Sequence, residues 1–385
     1  MRFSTSIFAA LVKPIDRRQF KAAVERHGAD DYDKSFHSWN HLLALIFAQF
    51  ARVDSLRGLV GVWNANAHHH YHLGTDKLVR STFSDANARR PVALFGDLFR
   101  QLSAQAGRAL RREGAEMLRL LDASPIPLDR LAGGAAWNGR THGLKLHVLY
   151  DPLADHPQRI EITPANVNDI TPAQALLLEP GATYVFDKAY CDYAWWTRIH
   201  AAGAVFVTRC KKNARFVKTR HRTPRNRLGD GFTVIEDAEV RLATQGHRKL
   251  AIPMRRIRVR RNEGGLLTLI TNDLTRPAVE IAALYKGRWQ IELLFRWLKQ
   301  HLKLRSFLGR SENAIRLQIV AAMIAYLLLR IAAARSRTGL IAIRFAELVC
   351  DSLFVRKPLA RIDRPPEVNP SRRPIDPRQS EFCYG

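Results

Sequence analysis

Four cysteines in 385 residues leave little to cross-link or to hold a soft metal. Cys191, Cys210, Cys350 and Cys383 stand far apart and form no C-x-x-C pair, which argues against both a disulfide framework and a zinc module. That usage fits a reducing cytoplasm. Long apolar runs are scarce too. The longest, Ile319–Leu329, gives way to Arg330 and is shorter than a bilayer span, so it predicts a buried helix and not a membrane segment. Met1–Ala10 shows no charged-apolar-cleavage pattern and no lipidation motif is found, so no membrane partner is expected. The most telling shortage is of acid: 35 Asp and Glu face 61 Lys and Arg, a formal charge of +26. Such an excess attracts polyanions and says nothing direct about fold. Nucleic acid is the leading partner, because cations that neutralise phosphates release condensed counterions. The remaining composition, 46% hydrophobic and 25% charged, is that of a folded chain long enough for two or three domains.

Along the chain, residues 1–112 read as a helical domain, with helices near Arg17–His27, Trp39–Phe50, Leu56–Asn64 and Val92–Arg111. In the second, Leu42, Leu45, Ile46 and Phe50 recur at helical spacing. The polar stretch Arg80–Asn87 between helices is suited to capping or to meeting a phosphate. The texture then changes. Met117–Leu121 is an apolar strand ending at Asp122, and Gly143–Tyr150 alternates, with Leu144, Leu146, Val148 and Tyr150 on one face. Arg159–Thr163, Thr183–Phe186 and Val205–Thr208 follow as strands, with helices near Thr171–Leu178 and Asp192–Ala202. The pattern predicts an α/β fold, a mixed sheet flanked by helices. Lys211–Arg227 interrupts it with eight basic residues and no acid, and opens a basic β-rich insertion over residues 211–263. Leu266–Ile270 returns as an apolar strand before one long helix, Ala278–Leu302. Two apolar helices near Glu312–Ala334 and Ile341–Phe354 close the chain, and a Pro- and Arg-rich tail beyond Arg356 is expected to be poorly ordered. A catalytic domain is thus expected over residues 113–335, and a terminal helix and tail over 336–385.

The long helix carries the sharpest signal. Tyr285, Arg288, Glu292 and Lys299 stand at i, i+3, i+7 and i+14, which at about 100° per residue is one stripe. Alone, that stripe also fits a solvated face laced by the i, i+4 pair of Arg288 and Glu292. Asp122 and Asp187 change the balance, because each directly follows an apolar strand and would face a crevice. Magnesium prefers hard oxygen ligands and takes few carboxylates. A pair of such ions can activate an oxygen nucleophile and steady the leaving oxygen of an in-line displacement.

These residues carry a resemblance. The spacing Tyr-x2-Arg-x3-Glu-x6-Lys, matched by Tyr285, Arg288, Glu292 and Lys299, resembles the signature of the family-four group of bacterial insertion-sequence transposases of the DDE type. Leu120–Ser124 and Val185–Tyr190 resemble that group's segments around the first and second aspartates, with Ala189 where many members have glycine. The resemblance covers about residues 114–334. It implies an RNase H-like core with a β-strand insertion and an N-terminal DNA-binding domain. Asp122, Asp187 and Glu292 would be catalytic and hold two Mg2+ ions, for which Mn2+ can substitute. Tyr285, Arg288 and Lys299 would contact backbone phosphates of the transposon end, and Trp289 is a further DNA-packing candidate. From charge alone, Lys211, Lys212 and Arg215 are added as a DNA-facing patch.

The implied function is cut-and-paste transposition by a cytoplasmic, nucleoid-associated protein. It would bind terminal inverted repeats, act as a homodimer in the DNA complex, pass through a hairpin at the excised end, and carry out Mg2+-dependent cleavage and strand transfer. A catalytically silent DNA-binding relative, or an RNase H-like nuclease, are the alternatives. Lys145 and His147 share one strand face and form a second DNA-facing candidate pair. His68–His72 reads as a polar loop, not a metal site, for want of partners at zinc spacing.

Overall fold

The computed structural model describes residues 5–51, 53–110, 116–128, 136–139, 141–211, 214–224, 227–242, 252–302 and 307–364. The N-terminal third is helical, as its periodicity predicts: α1 (Ile7–Val12), α2 (Arg17–Arg26), α3 (Ser38–Phe50), α4 (Leu56–Ala65), α5 (His70–Leu73), α6 (Arg80–Arg89) and α7 (Val92–Leu110). Their starts are chemically marked. The Asp16 carboxylate accepts from the Arg18 and Gln19 amides, and Ser55 accepts from Gly58, each cap contributing about 1 kcal/mol. The stretch expected to be a connector at Arg80–Asn87 is itself α6, whose Phe83 and Ala86 are buried. The histidine run is likewise helical: Ala67–His69 forms a 3-10 turn leading into α5, with His70 buried against the Trp63 carbonyl at 3.1 Å.

Among the described residues eleven strands form one mixed sheet: β1 (Leu118–Pro127), β2 (Ala136–Trp137), β3 (His142–Asp151), β4 (His156–Pro164), β5 (Thr183–Phe186), β6 (Val205–Arg209), β7 (Phe216–His221), β8 (Leu228–Gly229), β9 (Phe232–Leu242), β10 (Met254–Arg261) and β11 (Leu266–Thr271). The order β3-β1-β5-β6-β11-β10-β9-β7 has β4 and β2 beside β3 and β8 beside β9. Strands β1, β5 and β6 run parallel; the other pairings are antiparallel. The helices α8 (Ile170–Gln174) and α9 (Tyr193–Ala201) connect the central strands, and α8 is shorter than the sequence suggested. The insertion's β7, β9 and β10 lengthen the main sheet through β11 and do not fold away from it.

Beyond the sheet come α10 (Ala278–Gly287), α11 (Trp289–His301), α12 (Glu312–Ser336) and α13 (Ala342–Asp351). The single long helix expected over Ala278–Leu302 is interrupted at Arg288. There the amides of Arg288 and Ile291 bond three residues back, to Tyr285 and Arg288, instead of four. α12 is long and apolar enough to cross a membrane by composition, yet 83% of its most apolar stretch is buried inside the fold. It packs against α1, α3, α6, α7, α13 and β4, so the N-terminal helices and the sheet share one apolar core. The tail expected to be poorly ordered lies, from residue 365 onward, outside the described residues.

Candidate active site

β1 and β5 pair only from Leu118↔Thr183 to Leu121↔Phe186. Asp122 and Asp187 are therefore the first residues past the last parallel pair, side by side where β5 ends and the two strands part. In open α/β sheets that is where ligand crevices form. Asp187 stands at the end of its strand as expected. Asp122 does not: β1 continues to Pro127, paired on one side with β3 through Asp122↔Val148 to Pro127↔Gly143. A Cβ at position 143 would lie 2.0 Å from the Ile126 carbonyl oxygen, so glycine lets β3 close on this half of β1.

The third carboxylate comes from α11, which packs on β1. The helix break sets Arg288 between two acids. Its guanidinium reaches Asp122 Oδ2 at 3.3 Å and Glu292 Oε1 at 2.5 Å, while its ring-side neighbour Tyr285 lies 5.7 Å away. The Tyr285 hydroxyl donates to Asp187 Oδ1 at 3.3 Å. Arg288 thus ties Asp122 to Glu292, and Tyr285, beside that guanidinium, ties down Asp187. Tyr285 is buried, so in this structure its hydroxyl serves Asp187 and is not laid open for a phosphate. Burial pushes the Asp122 carboxyl up to about 6; the Ala123 amide and Arg288 pull it down, and Glu292 and Asp169 push it up. Asp122 is short of positive charge.

The donor set suits a hard divalent cation, since the oxygens of Asp122 and Glu292 already converge on one cationic group. Among the described residues no three His, Cys, Asp or Glu side chains close on a single point, because Asp187 is drawn towards Tyr285.

Lys299 is half-buried and lines a cavity of about 400 Å³ together with Asp122, Ser124, Glu292, Arg296 and Gln300. Trp289 is 51% exposed, with the Arg296 guanidinium 5.7 Å from its ring centre. Lys211 is exposed and donates to the Cys191 carbonyl at 3.2 Å, Arg215 is exposed before β7, and Lys212 lies outside the described residues. Sequence reasoning missed Ser124, Arg296 and Gln300. Their signal was present: Ser124 lies two residues from Asp122 on one strand face, and Arg296 and Gln300 follow Glu292 at four-residue steps. The second candidate pair fails. Lys145 and His147 point to the other face from Val148 and hence from Asp122. Lys145 is paired with Asp169 at 2.7 Å, and His147 is buried beside Thr163 at 2.8 Å, where burial lowers it to about 4.

The chain belongs to the transposase DDE domain family, whose model matches residues 113–328, more than half its length. A domain of unknown function, DUF4372, matches residues 4–76. Similar proteins include one named transposase y4zB of Sinorhizobium fredii (strain NBRC 101917 / NGR234), 57% identical over 78% of this chain and 85% of its own. The transposase for insertion sequence element IS5377 of Geobacillus stearothermophilus is 29% identical over 67% and 68% of the two chains. That for element IS4SA of Synechocystis is 27% identical over 65% and 71%. The piggyBac transposase, solved as a synaptic complex with hairpin DNA, aligns over 94% of this chain and 83% of its own at a TM-score of 0.47 and 9% identity.

Proposed function

We propose that this transposase acts by a cut-and-paste route on terminal inverted repeats, with Asp122, Asp187 and Glu292 as its catalytic carboxylates on an RNase H-like core. One observation supports the reading: Arg288 joins Asp122 of β1 to Glu292 of α11, and Tyr285, whose ring lies beside that guanidinium, holds Asp187 at the end of β5. The three carboxylates would hold two Mg2+ ions, with Mn2+ able to substitute. Bound there, such ions supply activation of the attacking oxygen and neutralise charge on the leaving one. The protein's own groups do the positioning. Arg288 has a planar fork that can exchange a carboxylate for a phosphate oxygen. Lys299, on the same helix, supplies a point charge at the far end of the cavity, and Tyr285 fixes Asp187. Trp289 offers an exposed ring for a base to pack on. Lys211, Lys212 and Arg215 would add phosphate contacts, and the N-terminal helices would bind the ends. In this reading the protein is cytoplasmic and nucleoid-associated, and two copies pair the ends in a homodimer.

The test is cleavage of a donor-end duplex in Mg2+ by wild type and by Asp122→Asn, Asp187→Asn and Glu292→Gln. Loss of cleavage with retained end binding in each variant supports the assignment. Full cleavage by any one removes that residue from the set. End binding by wild type with no cleavage in Mg2+ or Mn2+ would instead identify a silent DNA-binding relative.

A further inference from the structure

The insertion strands carry a second basic surface that the candidate site does not use. On β10, Ile257 and Val259 join the core that holds Ile281 and Tyr285. The alternation of a strand sends Arg256, Arg258 and Arg260 to the opposite face. That face begins with apolar residues, Met254 on β10 and Ile270 on β11, which pack in the same core as Trp195 and Trp196 of α9. Further out it becomes polar and open: the side chain of Arg258 is 40% exposed, that of Lys218 on β7 is 43% exposed, and Arg260 is exposed. A single acid, Glu236 on β9, sits among them, at 2.7 Å from Arg256, 3.3 Å from Arg258 and 3.2 Å from Lys218. Burial would raise the Glu236 carboxyl, but hydrogen bonds from these cations hold it down at about 2. Four cations to one acid leave a net positive strip that neutral solvent does not require.

The strip is joined to the catalytic crevice. The Cys210 amide donates to the carbonyl of Thr268, which pairs with Arg258. The next residue, Lys211, bonds the carbonyl of Cys191, four residues past Asp187. Positive charge therefore runs from the end of β6 outward along β10. Arg256 to Arg260 spans about 13 Å, over which one strand of B-DNA presents about four phosphates. The groups are long cations on a flat sheet with no Asn or Gln among them. Cations spaced along a strand in this way suit a row of phosphates. It also faces away from α10, whereas the carboxylates lie under α11 on the other side.

We propose that this face of the insertion binds target DNA through its phosphates without reading its sequence, and leads it to the crevice from the side opposite the transposon end. The proposal rests on the transposase reading above and commits to the target duplex, because the α11 stripe proposed to hold the donor end packs on the other face of the sheet. The triple variant Lys218→Gln, Arg258→Gln, Arg260→Gln leaves Arg256 to hold Glu236. Its donor-end cleavage is expected to be unchanged, while strand transfer into a plasmid falls about tenfold and recovers as plasmid concentration is raised. Binding of a random-sequence duplex, read by fluorescence anisotropy against salt, should lose about two to three units of slope. The variant Arg258→Lys, Arg260→Lys keeps the charge and should restore transfer. Cleavage falling in step with transfer would overturn the proposal and assign the face to the donor end. Unchanged random-duplex binding would overturn it as well. If wild type neither cuts nor joins, the transposition reading fails, while the anisotropy titration still reads the surface by itself.

Discussion

Two arginines of this chain each face an acid in a partly or wholly buried setting, and they are finished to different degrees. Arg255 in the insertion is 2% exposed and grips both oxygens of Asp237, at 2.7 and 2.6 Å, while its remaining nitrogen donates to the Arg276 carbonyl at 2.6 Å. Every terminal of that fork has a fixed partner. Arg288 in the crevice divides its fork between Asp122 and Glu292, its Nε is buried with no hydrogen-bond partner, and its side chain is 14% exposed. Asp122 beside it is raised to about 6, the mark of a carboxylate under-supplied with positive charge. A saturated pair holds a fold together. A shared, incomplete one is suited to exchanging partners, and that is what a site for phosphate and metal requires.

That contrast can be broken experimentally. The largest difference is expected in chemistry. Asp122→Asn should lower donor-end cleavage by about a thousandfold or more, roughly 4 kcal/mol in barrier, with circular dichroism unchanged and no loss of melting temperature. Asp237→Asn should act instead through folding, and an intact melting curve with lost cleavage at Asp237 would erase the distinction. Next comes stability. Arg255→Ala strands a buried charge and should destabilise the fold by about 3–5 kcal/mol in urea titration. Arg288→Ala, from a part-buried site whose two acids keep some contact with solvent, should cost less, about 1–3 kcal/mol. Equal losses at the two would show that the crevice arginine is also structural. Removing the exposed ring in Trp289→Ala should leave melting unchanged and weaken end binding by about 1–3 kcal/mol.

The smallest effect has a distinctive sign. In the folded chain the Asp122 carboxyl sits at about 6 against an ordinary 3.8, so between those values the folded form holds the extra proton. The ionised group therefore lowers stability above pH 6, and this penalty shrinks as pH falls through 6 and is gone below the ordinary value. Asp122→Asn should accordingly stabilise the fold by about 1 kcal/mol at pH 8 and by nothing at pH 3.5. Destabilisation at pH 8 would mean that Arg288 outweighs burial there.

Much of this arrangement was readable in the sequence, and the parts that were not have physical reasons. Asp187, Glu292 and Arg288 were found because strand ends and helical stripes are local patterns. The course of β1 past Asp122 was hidden by Pro125 and Pro127, which signal a loop. They are tolerated because β5 stops at Phe186, leaving this half of β1 paired only with β3, and an open edge has no ladder bond for proline to forfeit. β7 was hidden by Lys218 and Arg220, which merged into the basic run Lys211–Arg227 read as a DNA-facing patch. As an edge strand it has reason to be charged, since charge discourages pairing with another chain. The break at Arg288 leaves no mark in residue spacing, because a one-residue change in hydrogen bonding scarcely alters the stripe. Nor could periodicity tell which face of β3 lies towards Asp122 and α11, and so it offered Lys145 and His147, which lie on the other face.

The burial of α12 has a consequence in time. Its partners α1, α3, α6 and α7 are all made before residue 111, whereas α12 begins at Glu312. At about 5–20 residues per second the early helices would wait roughly 10–40 s for the element that completes their core. For that interval a nascent chain presents Leu42, Phe47 and Phe95 without their final cover, and it is then that a holding chaperone would have most to bind.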